Sequence, residues 1–361
     1  MLGMTKRFRQ ASCPWGQINM LKRYPLLSYY ISKIILYVIT IWGAFTITFF
    51  IFRLLPANPV DAWVKTLERQ YSKTVSNGAE LAAYYKEQFG LNGSIWEQYW
   101  RYMYNVIVKH DLGPSFVNFP TPVQDLIAER LPWTLFLMGV SIITSWVLGI
   151  LIGLLAGWYR ETRWSGALTN ISVGLSQIPP YLVAVFLVLI LGYQFGLFPT
   201  RGAWDAQFKI GFSWPFISSL LSHTFLPMIS IVLVTLAGWI LSTRSLIITL
   251  LGEDYLHYAE AKGLKTSNVM RRYGLRNIML PQTTALALTL GAAMNGQLLI
   301  ELLFVYPGLG ELISRAIQYF DFNALMGVIL LSIFSVMTAS LAIDLLLPII
   351  DPRIRSNIQS G

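Results

Sequence analysis

Charge and cysteine are what this chain has least of. Its one cysteine, Cys13, sits in a basic N-terminal stretch, which excludes an internal disulfide and a multi-cysteine metal site. His110, His223 and His257 stand far apart without metal-ligand spacing and read as separate surface or interfacial histidines. Charged residues are 12% of the 361, against about 25% in an ordinary soluble protein. With 55% hydrophobic residues, that shortage excludes a soluble globular protein and predicts an all-α polytopic membrane protein. No G-x-x-x-x-G-K-[ST] segment occurs, so the chain is not its own ATPase. No nucleophile and base stand out as a pair, which argues against an enzyme. The net charge of +9 would suggest nucleic acid in a soluble protein. Here the charge is assigned to the two sides of a membrane, and no nucleic-acid partner is expected.

Long charge-free runs are abundant instead, and the lipid bilayer is the first partner they imply. Six spans are expected, each near the 20 residues a bilayer requires. They fall at 29–55, 133–159, 167–193, 223–243, 280–300 and 326–350. Residues 1–28 form a basic tail. A basic start before an apolar run resembles a signal peptide, but the run is too long and lacks a small-residue cleavage site before Arg53. A large loop, 56–132, separates the first two spans. It is neutral and rich in Trp and Tyr, with short helices expected at 80–89, 95–109 and 123–130. It is either a cap over the pathway mouth or a surface that receives a soluble protein. A connection at 194–222 carries Trp204 and Trp214, residues that favour the membrane interface. A loop at 301–325 and a tail at 351–361 complete the chain.

Three features within the spans admit two readings. Pro179 and Pro180 interrupt the third span, freeing backbone carbonyls; they either make a kink that improves packing or form a hinge or pore-lining break. Asn295 and Gln297, among small residues in the fifth span, either serve close packing or face a wet pathway. Asp344 lies near the end of the sixth span and reads as a structural ion pair or cap rather than an ion relay.

The most polar piece between two spans is 244–279. Glu253 and Asp254 suit a helix start. No Pro or Gly occurs from Tyr255 to Lys262, so a short helix is expected there. Leu256, Ala259, Glu260 and Gly263 then share one face, which is mostly small and lets another backbone approach. Gly263 suits a helix stop. A second basic piece with Arg271, Arg272 and Arg276 ends at Pro281. By residue type alone this is either a solvated basic loop or a docking site.

The order of residues resembles the coupling loop of ATP-binding-cassette importer permeases. Tyr255, Ala259, Ala261-Lys262-Gly263-Leu264, Leu275-Arg276-Asn277 and Leu280-Pro281 carry the likeness. The general loop reads Glu-Ala-Ala, three residues, Gly, then Ile, any residue, Leu-Pro. Here Lys262 follows Glu260-Ala261, Gly263 comes two residues early, and the gap to Pro281 is longer, as in the dipeptide/oligopeptide branch. Arg53-Leu54-Leu55-Pro56, Asp111-Leu112-Gly113, Glu129-Arg130-Leu131-Pro132, Glu301 with Phe304, Pro307-Gly308-Leu309-Gly310, and Asp351-Pro352-Arg353 resemble that branch in order. They look like the first of its two transmembrane subunits.

The resemblance implies partners and a division of labour. A homologous second permease subunit shares a central pathway. One or two ATP-binding subunits, which use ATP and magnesium, dock on the cytoplasmic loop through Glu253, Asp254, Tyr255, Tyr258, Ala259, Glu260, Ala261, Lys262, Gly263 and Leu264. An external substrate-binding protein delivers peptides. This chain itself binds no cofactor and no metal. Oligosaccharides or nickel are the alternative cargo. A secondary carrier or a channel is the alternative class, although no inverted repeat and no self-contained filter is visible. With both termini inside a cell membrane, the inner pieces hold sixteen of the 27 Lys and Arg against five acids, as the positive-inside rule requires.

Overall fold

The structure, a computed structural model, describes residues 25–54, 87, 89, 91–293 and 297–350. Residues 1–24 of the basic tail, all of 55–86 with 88 and 90, Asn295 with its two neighbours, and 351–361 lie outside the described residues. Among the described residues there is no strand, only an isolated bridge between Pro114 and Pro122. The helices, in order, are α1 Pro25–Arg53 and α2 Ile95–Tyr104, the latter running into a π-helical turn, Asn105–Lys109. Next come α3 Val123–Trp158, α4 Arg163–Ser176, and α5 Pro180–Leu187 with a π-helical continuation to Gln194. Then follow α6 Trp214–Leu250, α7 Asp254–Ala261, and α8 Thr266–Val269 with a π-helical turn to Leu275. The chain continues with α9 Arg276–Ala292, α10 Leu298–Leu303, α11 Leu309–Gln318 and α12 Phe322–Ile350. Of these, α1, α3, α6 and α12 are long and apolar enough to cross a membrane, and the pair α4–α5 makes a fifth candidate.

The packing centre is the contact between α3 and α6. Gly149, Gly153 and Gly157 recur every four residues and so share one face of α3. A Cβ on Gly153 would lie 2.7 Å from the Thr243 Cβ and 2.8 Å from the Ile240 carbonyl. One on Gly149 would meet Trp239, and one on Gly157 would meet Ile247. Small residues are what bring two helix backbones together inside a bilayer. The partners climb in the same order as the glycines, so α3 and α6 run parallel. The chain must therefore return across the bundle between them, and α4 and α5 are the helices available to do so.

The other contacts set the remaining directions. Gln282 donates to Ser242 Oγ at 3.2 Å and accepts at its carbonyl from Trp146 at 3.3 Å, while Ile278 packs near Ile247 and Leu154. That order makes α9 antiparallel to both α3 and α6. Tyr37 bonds Thr338 at 2.9 Å, Lys33 pairs with Asp344 at 3.1 Å, and Phe49 packs by Leu330, so α1 and α12 are antiparallel. Asp344 is thus one half of an ion pair. A Cβ on Gly327 would meet Val123, which aligns the start of α12 with the start of α3.

Four expectations from the sequence change here. The third span is not one kinked helix: α4 and α5 meet at 97°. Neither Pro179 nor Pro180 has an N–H, so the helix loses two successive bonds at that point. The helix at 123–130 and the span at 133–159 are one helix, since Pro132 forfeits a single bond while Leu126 and Ile127 stay buried against Leu309 and Leu312. The fourth helix is far longer than 223–243, and takes residues 214–222 from the connection and 244–250 from the polar loop. The fifth expected span is divided, because α9 ends at Ala292 and α10 starts at Leu298.

A buried carboxylate locks the far end of α3. Glu301 is 0% exposed. It accepts from Thr134 Oγ1 at 2.9 Å and from the Gly310 N–H at 2.6 Å, and Thr134 Oγ1 accepts in turn from the Leu309 N–H at 2.8 Å. A Cβ on Gly308 would collide with the carboxylate, which explains the glycine there. Close by, Glu311 pairs with Arg130 and Arg315.

Gly153→Leu is expected to lower the melting temperature of the detergent-purified protein, as overpacking costs about 1–3 kcal/mol. Gly139→Leu, on the same helix with nothing within 4 Å of its Cβ, leaves the melting temperature near wild type. Thr134→Val strands Glu301 and the Leu309 N–H, and is expected to cost about 1–3 kcal/mol in the same melt.

Candidate functional site

The polar segment between α6 and α9 folds onto the end of α3. Its helix, α7, begins at Asp254 and stops at Ala261. Lys262 and Leu264 close the last turn, donating to the Tyr258 carbonyl at 3.1 Å and the Ala259 carbonyl at 3.4 Å. Gly263 follows at φ +72°, the left-handed conformation that glycine adopts without strain, and a side chain there would enter open space. Asp254 and the preceding Glu253 are exposed at the helix start, where negative charge opposes the macrodipole.

One face of α7 is already used. Leu256 and Ala259, 2% and 4% exposed, pack on Val269 of α8, with Trp158, Leu251 and Tyr273 around them. This corrects the sequence reading of that face as open to a partner's backbone. Small and apolar residues serve either purpose, and here the chain's own α8 takes the place. The surface left open is the other side: Tyr258 is 66% exposed, and Tyr255, His257, Ala261, Lys262 and Leu264 are exposed as well. Lys262 holds its ammonium 4.8 Å from the centroid of the Tyr258 ring, a cation–π contact that gives the tip a defined shape. Tyr255 accepts from the Asn277 amide at 3.1 Å, which ties α7 to the start of α9. Glu260 has its backbone within α7.

The sequence reading missed the other wall of this site. The turn after α3, with Arg160, Glu161 and Thr162, faces α7 across a cleft of about 380 Å³ lined also by Trp158, Leu251 and His257. The signal available was a Trp closing a charge-free run immediately before an Arg-containing turn. Arg271, Arg272 and Arg276 are exposed on the adjoining turn. Pro281, expected to end the basic piece, lies inside α9. The segment offers a rigid exposed helix, an aromatic tip and a basic surround. It holds no group of three or more His, Cys, Asp or Glu placed to bind a metal, among the described residues.

The remaining candidates lie elsewhere. Pro179 is exposed and Pro180 half-buried at the 97° corner. Gln297 is half-buried and caps α10, its carbonyl accepting from Ile300 and Glu301 at 2.9 Å each. Helices α5 and α10 pack on each other, so Pro180 and Gln297 each begin one of a contacting pair. Trp158 ends α3, and Thr134 lies about 36 Å from it along the axis. The α7 cleft and the Glu301 lock therefore sit at opposite ends of the bundle.

Residues 149–356 match the family described as "Binding-protein-dependent transport system inner membrane component". This chain belongs to that family. Residues 26–138 match the companion description "Binding-prot-dependent transport system membrane comp, N-term". Such a membrane component is a permease subunit, and the apolar helices described above agree with a multi-pass membrane protein. The chain is similar to the oligopeptide transport system permease protein AppB of Bacillus subtilis (strain 168). The two are 29% identical over 330 residues, covering 91% of this chain and 99% of the relative. It is also similar to the glutathione transport system permease protein GsiC of Escherichia coli (strain K12), 28% identical over 331 residues, with the same coverage. The α7 cleft falls within the first matched stretch and α2 within the second.

Leu256→Ala is expected to weaken the packing of α7 by about 2 kcal/mol or more, read as faster amide exchange across 254–261. Tyr258→Ala, on the open side, leaves that exchange unchanged.

Proposed function

We propose that this chain is the first transmembrane subunit of an ATP-driven peptide importer and that α7 receives the motor. The observation that carries the reading is the exposed, braced helix at the basic end of the bundle in a member of a binding-protein-dependent permease family. Peptide cargo is supported by the relatives, an oligopeptide permease and a glutathione permease, glutathione itself being a peptide.

Six crossings fit the packing directions. Helix α1 rises, α3 descends, α4 and α5 return together, α6 descends, α9 with the start of α10 rises, and α12 descends. Both termini then lie on the side that carries α7, which is the cytoplasmic side by its excess of Lys and Arg. The loop 56–132, the connection before α6 and the Glu301 lock face outward, toward a substrate-binding protein.

The chain's own part in the cycle is mechanical. The motor consists of one or two ATP-binding subunits, which hold ATP and magnesium. They engage Glu253, Asp254, Tyr255, Tyr258, Glu260 and the Ala261–Leu264 tip. Leu256 and Ala259 transmit the movement inward, through Trp158 to α3 and through Leu251 to α6. A second, homologous permease completes the pathway, with Pro179, Pro180, Asn295 and Gln297 on its wall. Binding of ATP shifts the equilibrium between inward-open and outward-open forms only by the difference in its affinity for the two.

Purification of the tagged protein in mild detergent is expected to bring down a second permease and ATP-binding subunits, with ATPase activity stimulated by an external binding protein. A lone chain that still transports in vesicles overturns the reading. Glu260→Arg and Gly263→Trp are expected to abolish peptide uptake while the protein still inserts; ATPase coupling at the wild-type level in both variants sinks the assignment of α7.

A further inference from the structure

Helix α2 belongs to the loop read from the sequence as a cap or a receiving surface, but its side chains sort otherwise. Tyr99 and Met103 are buried against α1 and α12, in a cluster with Phe45, Phe49 and Leu330. Glu97, Gln98, Arg101 and Asn105 share the opposite, polar side. Between these, Trp96, Trp100 and Tyr104 follow one another at four-residue intervals, 64%, 63% and 55% exposed. Ile107 continues the same stripe at 56% exposure. The apolar arc is thus wider than the part the chain itself covers.

The uncovered half is continuous with a surface already in the membrane. Trp96 lies edge-on to Phe50 of α1 at 5.6 Å. Ile47 and Ile51 of that spanning helix are 62% and 57% exposed. Behind α2 opens an apolar groove of about 520 Å³ between α1, α3 and α12, walled by Ile41, Phe45, Ile127, Leu330 and Phe334 among others. Phe45 and Ile41 stand about 12 and 18 Å from Arg53 along α1, a depth that lies within a hydrocarbon core of about 30 Å. A soluble partner does not reach that depth, and about 520 Å³ holds little more than one turn of a helix of the second permease, a helix with its side chains being about 10–12 Å across; an acyl chain fits.

We infer that α2 lies in the membrane interface with Trp96, Trp100 and Tyr104 in lipid, and that the groove behind it seats one phospholipid acyl chain. The polar side of α2 then faces water. Amphipathic helices with one aromatic face adopt this position because the rings meet lipid on one side and the polar side chains meet water on the other. Such a seat fixes the height of the outer loop against α1 and α12. It also assigns the aromatic stripe to the bilayer rather than to a delivering protein.

The test compares the full-length protein with Trp96→Phe/Trp100→Phe, both in nanodiscs. The emission lost on substitution isolates these two among the 12 tryptophans. Brominated-chain phosphatidylcholine is expected to quench that difference emission several-fold more than aqueous iodide does. Stronger quenching by iodide places α2 in water, gives its face to a soluble partner and overturns the inference. For the groove, Ala128→Trp fills its wall from α3. Native mass spectrometry is expected to show one retained phospholipid fewer than wild type; an unchanged count removes the acyl chain. The quenching result does not require the groove variant to fold, and neither measurement depends on peptide cargo or on the motor.

Discussion

The close approach of α3 to α6 is the constraint on which the rest of this structure depends. Three glycines at four-residue spacing allow it, and the order of their partners makes the two helices parallel. Consecutive antiparallel helices need only a short turn. Parallel ones require the chain to travel back the length of the bundle, and that requirement gives the 97° corner its purpose. A re-entrant pair would leave the chain at the wrong end for α6 to start beside the beginning of α3. The bent pair therefore carries the chain back along the bundle, although its halves diverge too far to pass as one helix.

The same crossing connects the two ends of the molecule. At one end Gly157 meets Ile247, and Ile247 with Leu154 and Ile278 forms the apolar layer under α7. At the other end α3 carries Thr134, which holds Glu301 and the turn at Gly308–Gly310. A rigid α3 some 50 Å long, at about 1.5 Å per residue, thus touches both the cleft beside α7 and the Glu301 lock. Force applied at Leu256 and Ala259 has a continuous packed route through Trp158 into that helix. The route is contiguous packing, and packing of this density moves as a body rather than yielding locally.

Much of this was legible in the residues because hydrophobic length is a local property. The apolar runs marked α1, α3, α6 and α12, and the proline pair marked a break. The size of the break was not legible, since it depends on which neighbours receive the freed carbonyls. Pro132 and Pro227 sit inside helices that continue past them, while Pro179 and Pro180 stop one; a single missing bond is bridged by burial on either side, and two in succession are not. The stop at Gly263 followed from its residue type. The fate of the α7 face did not. Leu256 and Ala259 satisfy the same description whether they meet a partner or their own chain, and α8, which covers them, is only four residues long.

Helix α2 shows the complementary case, where a composition read as loop conceals an organised face. Its aromatic residues were visible, but period and neighbour decide their meaning together. Tyr99 stacks on Phe50 and bonds Thr46 Oγ1 at 2.8 Å, so the helix is fastened within the last turns of α1. A binding-protein surface would need its apolar stripe to face outward from the bundle end. Here the stripe extends the exposed flank of α1 at Ile47 and Ile51. With that stripe in lipid, the parts of the outer loop left to meet a delivering protein are the polar side of α2 and whatever the 55–86 stretch supplies. In the proposed importer the contact with a delivering protein is then a polar one, which favours fast and specific association.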